Sequence, residues 1–280
     1  MSGTLTVVGT PIGNLGDFSP RAQEALAEAD FIAAEDTRVT MKLLAHFGIR
    51  KPLVSYFEHN KRERGELICR RIEAGENCAL VSDAGMPAIS DPGEQLVAQC
   101  AERGIRVVAV PGPSAVVTAL ALSGLPTGRF TFEGFLSVNK KSRREHLEKL
   151  KGEERTMVFY EAPHKLAGTL ADLLEALGDR RVALARELTK VHEEVLRTTL
   201  AQAARQYGEG GAKGEFVLVV EGAAPAAPAP GATVEEAAAL ALRYAEEGVS
   251  ASEAARRAAG ETGLKKGQVY RALLALQQEE

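Results

Sequence analysis

The 280-residue chain has few cysteines and no excess of basic charge. Its three cysteines, Cys69, Cys78 and Cys100, are an odd number, and their spacing fits neither a disulfide framework nor a CxxC metal site. We therefore interpret them as core thiols of a protein from a reducing compartment. Lys and Arg total 34 against 38 Asp and Glu, a formal net charge of −4. Any contact with nucleic acid must therefore come from local patches.

Signals for secretion, membrane insertion and metal binding are also missing. Residues 1–10 lack the basic n-region of a signal peptide, so we expect a cytoplasmic protein. The uncharged stretch 107–126 has about the length of a membrane span. Its prolines, Pro111 and Pro113, instead predict a buried strand, a turn and a buried helix. The five histidines show no HxxxH or HExxH spacing, so no metal is expected.

The remaining pattern is typical of an α/β protein. Between Leu5 and about Gly124, short β-branched runs alternate with helical periods, which predicts βαβ units and a parallel sheet. The predicted strands are 5–8, 31–34, 52–56, 78–82 and 105–109. Ser19 before Pro20 and a capping box over 91–94 predict helix starts. A charged bridge, 139–155, leads to a mixed α/β half. Its predicted strands are 156–160, 181–186, 194–198 and 215–220.

The composition predicts two α/β domains, 1–126 and 127–221, followed by a smaller part. Residues 222–232 are a Pro/Ala linker. An all-helical module over 233–280 resembles a helix-turn-helix, with capping boxes beginning at Thr233 and Ser250. Within it, 256–271 carries five basic residues against one acid, a net of +4. This indicates either a nucleic-acid contact or the solvated surface of a small helical cap.

Three loops rich in glycine and proline follow predicted strands of the first half. The first loop, 9–17, matches neither GxGxxG nor a P-loop, which argues against a dinucleotide or triphosphate. Its glycines alone are also consistent with a simple tight turn. The second, 81–93, exposes rigid backbone groups suited to a zwitterionic ligand. The third, 110–115, brings Ser114 to a helix start. Together they predict a ligand crevice at one sheet edge.

Two carboxylates follow strands of the second half. Glu161 precedes His164 and Lys165, and Glu187 follows Arg186. Either carboxylate has the chemistry of a general base. A structural ion pair with the neighbouring cation is the more frequent role of such a carboxylate, and we favour it here.

Six motifs together resemble the ribosomal RNA small subunit methyltransferase I family, the ribose 2′-O-methyltransferase branch of the tetrapyrrole methylase superfamily. The similarity runs in order from about residue 4 to 221. The motifs are Gly9–Asn14, Glu35–Arg38, Ser82–Gly93, Pro111–Ser114, Glu161–Lys165 and Arg186–Lys190. Methylases of porphyrin-like rings differ at the first loop and lack the Glu35–Arg38 run.

The resemblance implies a tetrapyrrole methylase-like fold that binds S-adenosylmethionine in a cleft between the two α/β domains. It also implies a homodimer and, as target, a cytidine of 16S ribosomal RNA near the decoding centre, within the small ribosomal subunit. Matched by motif, the implied cofactor-binding residues are Pro11, Asp83, Ala84, Gly85, Ile89, Ser114, Ala115, Glu161, Ala185 and Phe216.

A base that deprotonates the ribose hydroxyl would assist such a reaction. The candidates are Asp36, Glu58, His59 and Lys190, with Asp36 first. It ends a strand beside Arg38, which has the charge to hold an RNA phosphate. The alternative is an ion pair at a helix start.

Two basic runs, 59–71 and 139–155, each carry a net charge of +3 and favour RNA contact, although solvated helix faces have the same pattern. The predicted RNA-binding residues are Arg38, Lys61, Arg62, Arg64, Lys140, Lys141, Arg143, Lys265 and Lys266. With an acidic chain overall, we expect an assembled subunit to be a better substrate than naked RNA. The competing hypotheses are a methylase of a tetrapyrrole or another small acceptor, and a non-catalytic S-adenosylmethionine-binding regulator.

Overall fold

The computed structural model describes residues 2–208, 211–224 and 232–277. The chain forms two compact units, residues 1–222 and residues 223–280. The first contains both sheets, and the predicted division at 126/127 falls within it, between a helix and a strand.

The first sheet has five parallel strands in the order β3-β2-β4-β1-β5. They are β1 (Thr4–Val8), β2 (Phe31–Ala34), β3 (Leu53–Ser55), β4 (Cys78–Val81) and β5 (Arg106–Val110). The helices are α1 (Pro20–Glu28), α2 (Thr37–His46), α3 (Lys61–Glu73), α4 (Gly93–Glu102) and α5 (Ala115–Ser123). Every residue of β2 and β4 is buried, because α1 and α2 cover one face and α3 and α4 the other. The five predicted strands are confirmed, with small shifts of their ends.

Several local predictions for this half need correction. The stretch 107–126 is broken as predicted, but β5 is an edge strand with exposed Arg106 and α5 leaves Val117 57% exposed, so neither is wholly buried. No helix within the described ranges is both long and apolar enough for a bilayer. The cysteines are free and buried, as predicted.

The predicted helix starts are confirmed only in part. Ser19 caps α1 by accepting a hydrogen bond from the Ala22 amide at 3.2 Å. The predicted capping box over 91–94 is not found among the described residues, because Pro92 and not Asp91 is the N-cap of α4, and Asp91 accepts from the Gly93 amide at 2.7 Å instead of from the Glu94 amide. Ser114 occupies the N-cap position of α5, but its side chain makes no capping bond.

The second sheet is mixed and has the order β6-β7-β10-β8-β9. The strands are β6 (Phe130–Phe135), β7 (Thr156–Glu161), β8 (Arg181–Arg186), β9 (Glu194–Thr199) and β10 (Phe216–Val220). The helices are α6 (Lys140–Lys149), α7 (Leu166–Leu177) and α8 (Leu200–Tyr207). Four strands match the prediction and β6 was missed. The sheet is covered on one face by α7 and α8 and on the other by α5, which joins the two halves into one unit.

Strand β6 contains a bulge. Its register pairs Phe132 with Val158 and Phe135 with Tyr160, so the β6 segment is one residue longer than its partner. Gly134 at this point has φ +64°, a conformation that glycine adopts without strain. The extra residue places Phe132 and Phe135 on the same face of the sheet.

The second unit consists of α9 (Val234–Glu246), α10 (Ala251–Thr262) and α11 (Lys266–Leu276) around a core rich in alanine. The capping box of Thr233 and Glu236 is confirmed. At Ser250, the side chain accepts from the Glu253 amide at 3.4 Å. Most of the predicted linker 222–232 lies outside the described residues, which resume at Ala232.

Candidate active site

A cavity of about 620 Å³ lies in the first unit, where loops that follow strands of the first sheet face the second sheet. Its walls come from 82–86, 89–91 and 114–115 on one side and from 160–164, Ala185 and 215–217 on the other. The carboxyl ends of β4 and β5 open into it, as expected for a ligand crevice of an α/β protein.

Two glycines allow the loops after β1 and β5 to touch through their backbones. A Cβ added to Gly9 would lie 2.6 Å from the Gly112 Cα, and one added to Gly112 would lie 2.8 Å from the Gly9 Cα. The Gly9 amide also donates to the Val110 carbonyl at 3.1 Å. Side chains at these positions would push the loops apart, so the glycines are required for more than a tight turn.

The loop after β4 is fixed by hydrogen bonds and contains strained backbone. Thr10 and Gly85 exchange two backbone bonds, of 2.9 and 3.2 Å. Ala88 and Ser90 have φ of +67° and +64°, an uncommon conformation for residues with a side chain. The Asp91 carboxylate accepts hydrogen bonds from the Ala88 amide at 3.0 Å and from the Gly93 amide at the start of α4. Bonds within the protein therefore fix this wall of the cavity.

Most residues predicted to bind the cofactor line this cavity. They are Asp83, Ala84, Gly85, Ile89, Ser114, Ala115, Glu161, Ala185 and Phe216. Pro11 is not among the lining residues, and the next residue, Ile12, is. The prediction did not include Glu35, Phe135, Tyr160 or Leu188, which also line it. Glu35 belongs to a motif already singled out, whereas Phe135 lies on the strand that was missed.

The cavity lining is acidic. The lining contains five carboxylates and one imidazole, that of His164, and none of the described lining residues is Lys or Arg. The carboxylates belong to Glu35, Asp83, Asp91, Glu161 and Glu215. Apolar side chains such as Ile12, Leu188 and Phe216 complete the wall. This combination suits a ligand with a cationic part and an apolar part.

Glu161 is held by a buried polar network. It is 3% exposed, and one carboxylate oxygen accepts from the Ala162 amide at 2.8 Å while the other accepts from the Thr169 hydroxyl. Arg143 donates to the Thr169 Oγ1 at 2.8 Å and also to Asp172. With its side chain only 15% exposed, Arg143 points into this network, whereas the prediction had placed it on an RNA surface.

The adjacent carboxylates Glu35 and Asp36 have opposite surroundings. Asp36 lies outside the cavity lining and pairs with Arg38 at 2.6 Å, and hydrogen bonds from Arg38 lower the pKa of Asp36 to about 2. It also caps α2, so the structure has the ion pair at a helix start that was the alternative prediction. Burial raises the pKa of Glu35, and the charges of Asp83 and Asp91 raise it further.

The other predicted bases lie elsewhere or are paired. Glu58 bonds Lys61 at 2.6 Å, and His59 lies at a separate hollow of about 490 Å³ on the surface of α3. Lys190 donates to Glu187 at 2.9 Å and to Glu215 at 3.1 Å. Although burial opposes it, these bonds raise the pKa of Lys190, which keeps the ammonium protonated.

The remaining predicted RNA contacts are spread over four helices. Arg62 and Arg64 are exposed on α3 and Lys61 is half-buried beside them. The other predicted contacts are also exposed, namely Arg38, Lys140, Lys141, Lys265 and Lys266. In the second unit, Arg256 and Arg257 both pair with Glu253, which precedes the run 256–271. The net charge of +4 counted for that run is therefore partly offset by this neighbour.

Comparison with known proteins identifies relatives along the whole chain. Residues 4–204 match the family described as Tetrapyrrole (Corrin/Porphyrin) Methylases. Ribosomal RNA small subunit methyltransferase I of Synechocystis sp. is 48% identical over 276 residues, which are 98% of this chain and 99% of the relative. The Thermotoga maritima protein of the same name is 49% identical over 220 residues, which are 79% of this chain and 99% of the relative.

A solved structure has the same fold. Uroporphyrin-III C-methyl transferase from Thermus thermophilus, complexed with S-adenyl homocysteine, aligns with a TM-score of 0.55 at 19% identity. The alignment covers 78% of this chain and 97% of that chain. At this identity the likeness extends to the fold and not to the molecule that is methylated.

Proposed function

This chain belongs to the tetrapyrrole methylase family, in the branch of ribosomal RNA small subunit methyltransferase I, and we propose that it methylates 16S ribosomal RNA. The methyl group passes from S-adenosylmethionine to the ribose 2′-oxygen of a cytidine near the decoding centre. The enzyme acts in the cytoplasm, as a homodimer, on the small ribosomal subunit. The match along nearly the whole chain to relatives named as ribosomal RNA methyltransferases carries this proposal.

The cavity fits S-adenosylmethionine in size and charge. Its volume of about 620 Å³ lies within the range of roughly 300–1,000 Å³ that is usual for small-ligand sites. The carboxylates of the lining suit the sulfonium and ammonium groups, and the wall of Ile12, Leu188 and Phe216 suits an adenine ring. We assign the cofactor to Asp83–Gly85, Ile89, Ser114, Ala115, Glu161, Ala185 and Phe216, with Ile12 beside Pro11 in the first loop.

The reaction requires mainly alignment. Bound S-adenosylmethionine supplies an electrophilic methyl group on a sulfonium whose thioether is already a good leaving group. The protein holds the ribose hydroxyl in line with that carbon, and such positioning is worth several kcal/mol in intramolecular reactions, up to about 7–11. The loops around Gly85 and Gly112 serve this role because hydrogen bonds and backbone contact fix them.

Glu35 replaces Asp36 as our first candidate for the general base. It lines the cavity, and its raised pKa makes its carboxylate a stronger base than an unperturbed one. In this role the carboxylate accepts the proton of the 2′-hydroxyl as the oxygen–methyl bond forms. Asp36, with a pKa of about 2, is a weak base and instead holds Arg38 at the start of α2. Arg38, 82% exposed, remains a candidate for an RNA phosphate.

RNA binding is assigned to exposed cations outside the cavity. An acidic cavity repels phosphate, so only a ribose edge is expected to enter it while the backbone stays on the surface. Arg62, Arg64, Lys140, Lys141, Lys265 and Lys266 are exposed for this contact, and Lys61 is half-buried beside Glu58. Arg143 is left out of this set because its guanidinium is bonded to Thr169 and Asp172.

The test is a methylation assay with radiolabelled S-adenosylmethionine and small ribosomal subunits from cells that lack the enzyme. We expect one labelled ribose 2′-oxygen in 16S RNA, mapped by nuclease digestion and mass spectrometry. A parallel reaction contains a porphyrinoid in place of the subunits. Label on the porphyrinoid would identify a small-acceptor methylase. Cofactor binding without transfer to either acceptor would identify a regulator.

A further inference from the structure

An aromatic ring stands at the rim of the cavity with more than half of its surface exposed. Phe135 lines the cavity, is 58% exposed, and has its ring centroid 5.5 Å from that of Tyr160. Phe132 contacts the same tyrosine, with 5.0 Å between centroids. The bulge at Gly134 is the cause, because without the extra residue Phe135 would point to the opposite face of β6.

Cations follow this ring in the chain. Helix α6 begins five residues later with Lys140 and Lys141, and the Lys141 side chain is 86% exposed, with Glu145 3.9 Å away. Arg144 is also exposed, whereas Arg143 is turned inward. An exposed aromatic ring followed within a few residues by exposed cations suits single-stranded nucleic acid, because proteins bind it by stacking rings on bases while cations contact the phosphates.

Building on the proposed function, we infer that Phe135 stacks on an unpaired base of the RNA acceptor, while Lys140 and Lys141 contact the adjacent phosphates. Sequence-specific RNA recognition commonly uses unpaired bases that are splayed out and stacked on aromatic side chains. A base held on Phe135 would bring its ribose to the mouth of the acidic cavity without drawing phosphate into it. The ring is thus a binding residue for the acceptor and not for the methyl donor.

Kinetics of three variants test the acceptor side. Stacking on an aromatic ring is sequence-tolerant and substantial, so we expect Phe135→Ala and Phe135→Leu each to raise the KM for small subunits about tenfold. Phe135→Tyr retains the ring and should stay within about twofold of the unsubstituted protein. Val138→Ala is the matched control, since Val138 is 79% exposed on the same segment and does not line the cavity.

A fluorescence measurement tests the donor side. The chain contains no tryptophan, so Phe135→Trp introduces a single reporter at the rim. Because residue 135 lines the cavity, we expect saturating S-adenosylhomocysteine to shift its emission slightly, without the quenching that stacking on adenine causes. The dissociation constant of this ligand, measured by calorimetry, should be the same in all variants. Quenching by S-adenosylhomocysteine would assign the ring to the adenine and overturn the inference.

The outcomes separate this inference from the proposed function. An unchanged KM in both Phe135→Ala and Phe135→Leu, with methylation intact, overturns the stacking role and leaves the proposed function standing. If the unsubstituted protein neither binds nor methylates small subunits, both the stacking inference and the proposed function are wrong. A raised KM restored by Phe135→Tyr, with donor affinity constant, supports the stacked base.

Discussion

At the scale of single residues, Glu35 and Asp36, which directly follow β2, should respond differently to loss of their charge. Glu35→Gln should lower kcat by about 10²- to 10⁴-fold with a much smaller effect on the affinity for S-adenosylhomocysteine, because Glu35 is the proposed proton acceptor but only one of five carboxylates in the lining. Asp36→Asn is the matched control and should change kcat much less. A larger loss in Asp36→Asn than in Glu35→Gln would return the assignment to Asp36.

The pH dependence follows from the direction of the Glu35 shift. Its carboxylate must be ionised to accept a proton, so kcat should rise with pH through a pKa above the usual value of 4.5. Because folding raises this pKa, ionisation of Glu35 costs stability above it and none at low pH. Glu35→Gln should therefore unfold at the same or a higher temperature near neutral pH, measured by calorimetry, while losing activity. Reduced thermal stability would indicate a structural role instead.

Thr169 is the link between Arg143 and Glu161. Thr169→Val removes one hydrogen bond from each neighbour, since one Glu161 oxygen and one Arg143 nitrogen lose the Thr169 hydroxyl, and an unmet buried polar atom costs about 1–3 kcal/mol. We expect lower stability in denaturant titrations and weaker S-adenosylhomocysteine binding, with Thr169→Ser restoring both. Thr198→Val is the control, since the hydroxyl of Thr198 bonds Gln202 on an exposed surface. Equal losses of stability and binding in the two valine variants would mean that the network makes no specific contribution to the site.

At the scale of the elements, the loops after β1 and β5 depend on close backbone approach. Gly112→Ala adds a Cβ within 2.9 Å of the Gly9 carbonyl oxygen, and neither backbone can yield without moving its loop. We expect S-adenosylhomocysteine affinity to fall more than tenfold and stability to fall by about 1–3 kcal/mol. Gly128→Ala, where a Cβ meets nothing within 4 Å, should leave both unchanged. Unchanged binding in Gly112→Ala would mean that the loops adjust freely.

The first sheet could be predicted because each buried strand ends in a loop with a distinct composition. The runs before Gly9, Ser82 and Pro111 are β-branched or apolar, and the glycines and prolines that follow mark both the turn and the crevice. Strand β6 could not be predicted in the same way. Its bulge at Gly134 interrupts the two-residue alternation, and it lies at a sheet edge where burial is incomplete.

Side-chain direction was the other feature that the sequence left open. Adjacent residues such as Glu35 and Asp36, or Arg143 and Arg144, have the same chemistry, and only tertiary packing decides which one faces inward. On α6 the inward turn of Arg143 is set by Thr169 and Asp172, which lie 26 and 29 residues away in the chain. Composition and charge counts cannot contain that information.

At the scale of the whole molecule, the first unit should carry the chemistry alone. The Thermotoga maritima relative matches over 220 residues, about the length of this unit, and has almost nothing beyond the match. A chain ending at Ala224 should therefore bind S-adenosylhomocysteine with unchanged affinity in calorimetry. If Lys265 and Lys266 contact RNA, its KM for small subunits should rise severalfold and depend less on salt. An unchanged KM would make the second unit a helical cap.

The strained loop that carries Ala88 and Ser90 has a thermodynamic consequence for the donor. Its backbone is already held by Asp91 and by the bridge from Thr10 to Gly85, so little chain entropy remains to be lost when a ligand enters. The heat capacity change of binding should then be small and reflect only the apolar wall, without the large decrease in heat capacity that accompanies folding of a segment. S-adenosylmethionine and S-adenosylhomocysteine would then exchange through a rigid opening. The strength of their contacts with the cavity, and not the closing of a loop, would set their dissociation rates.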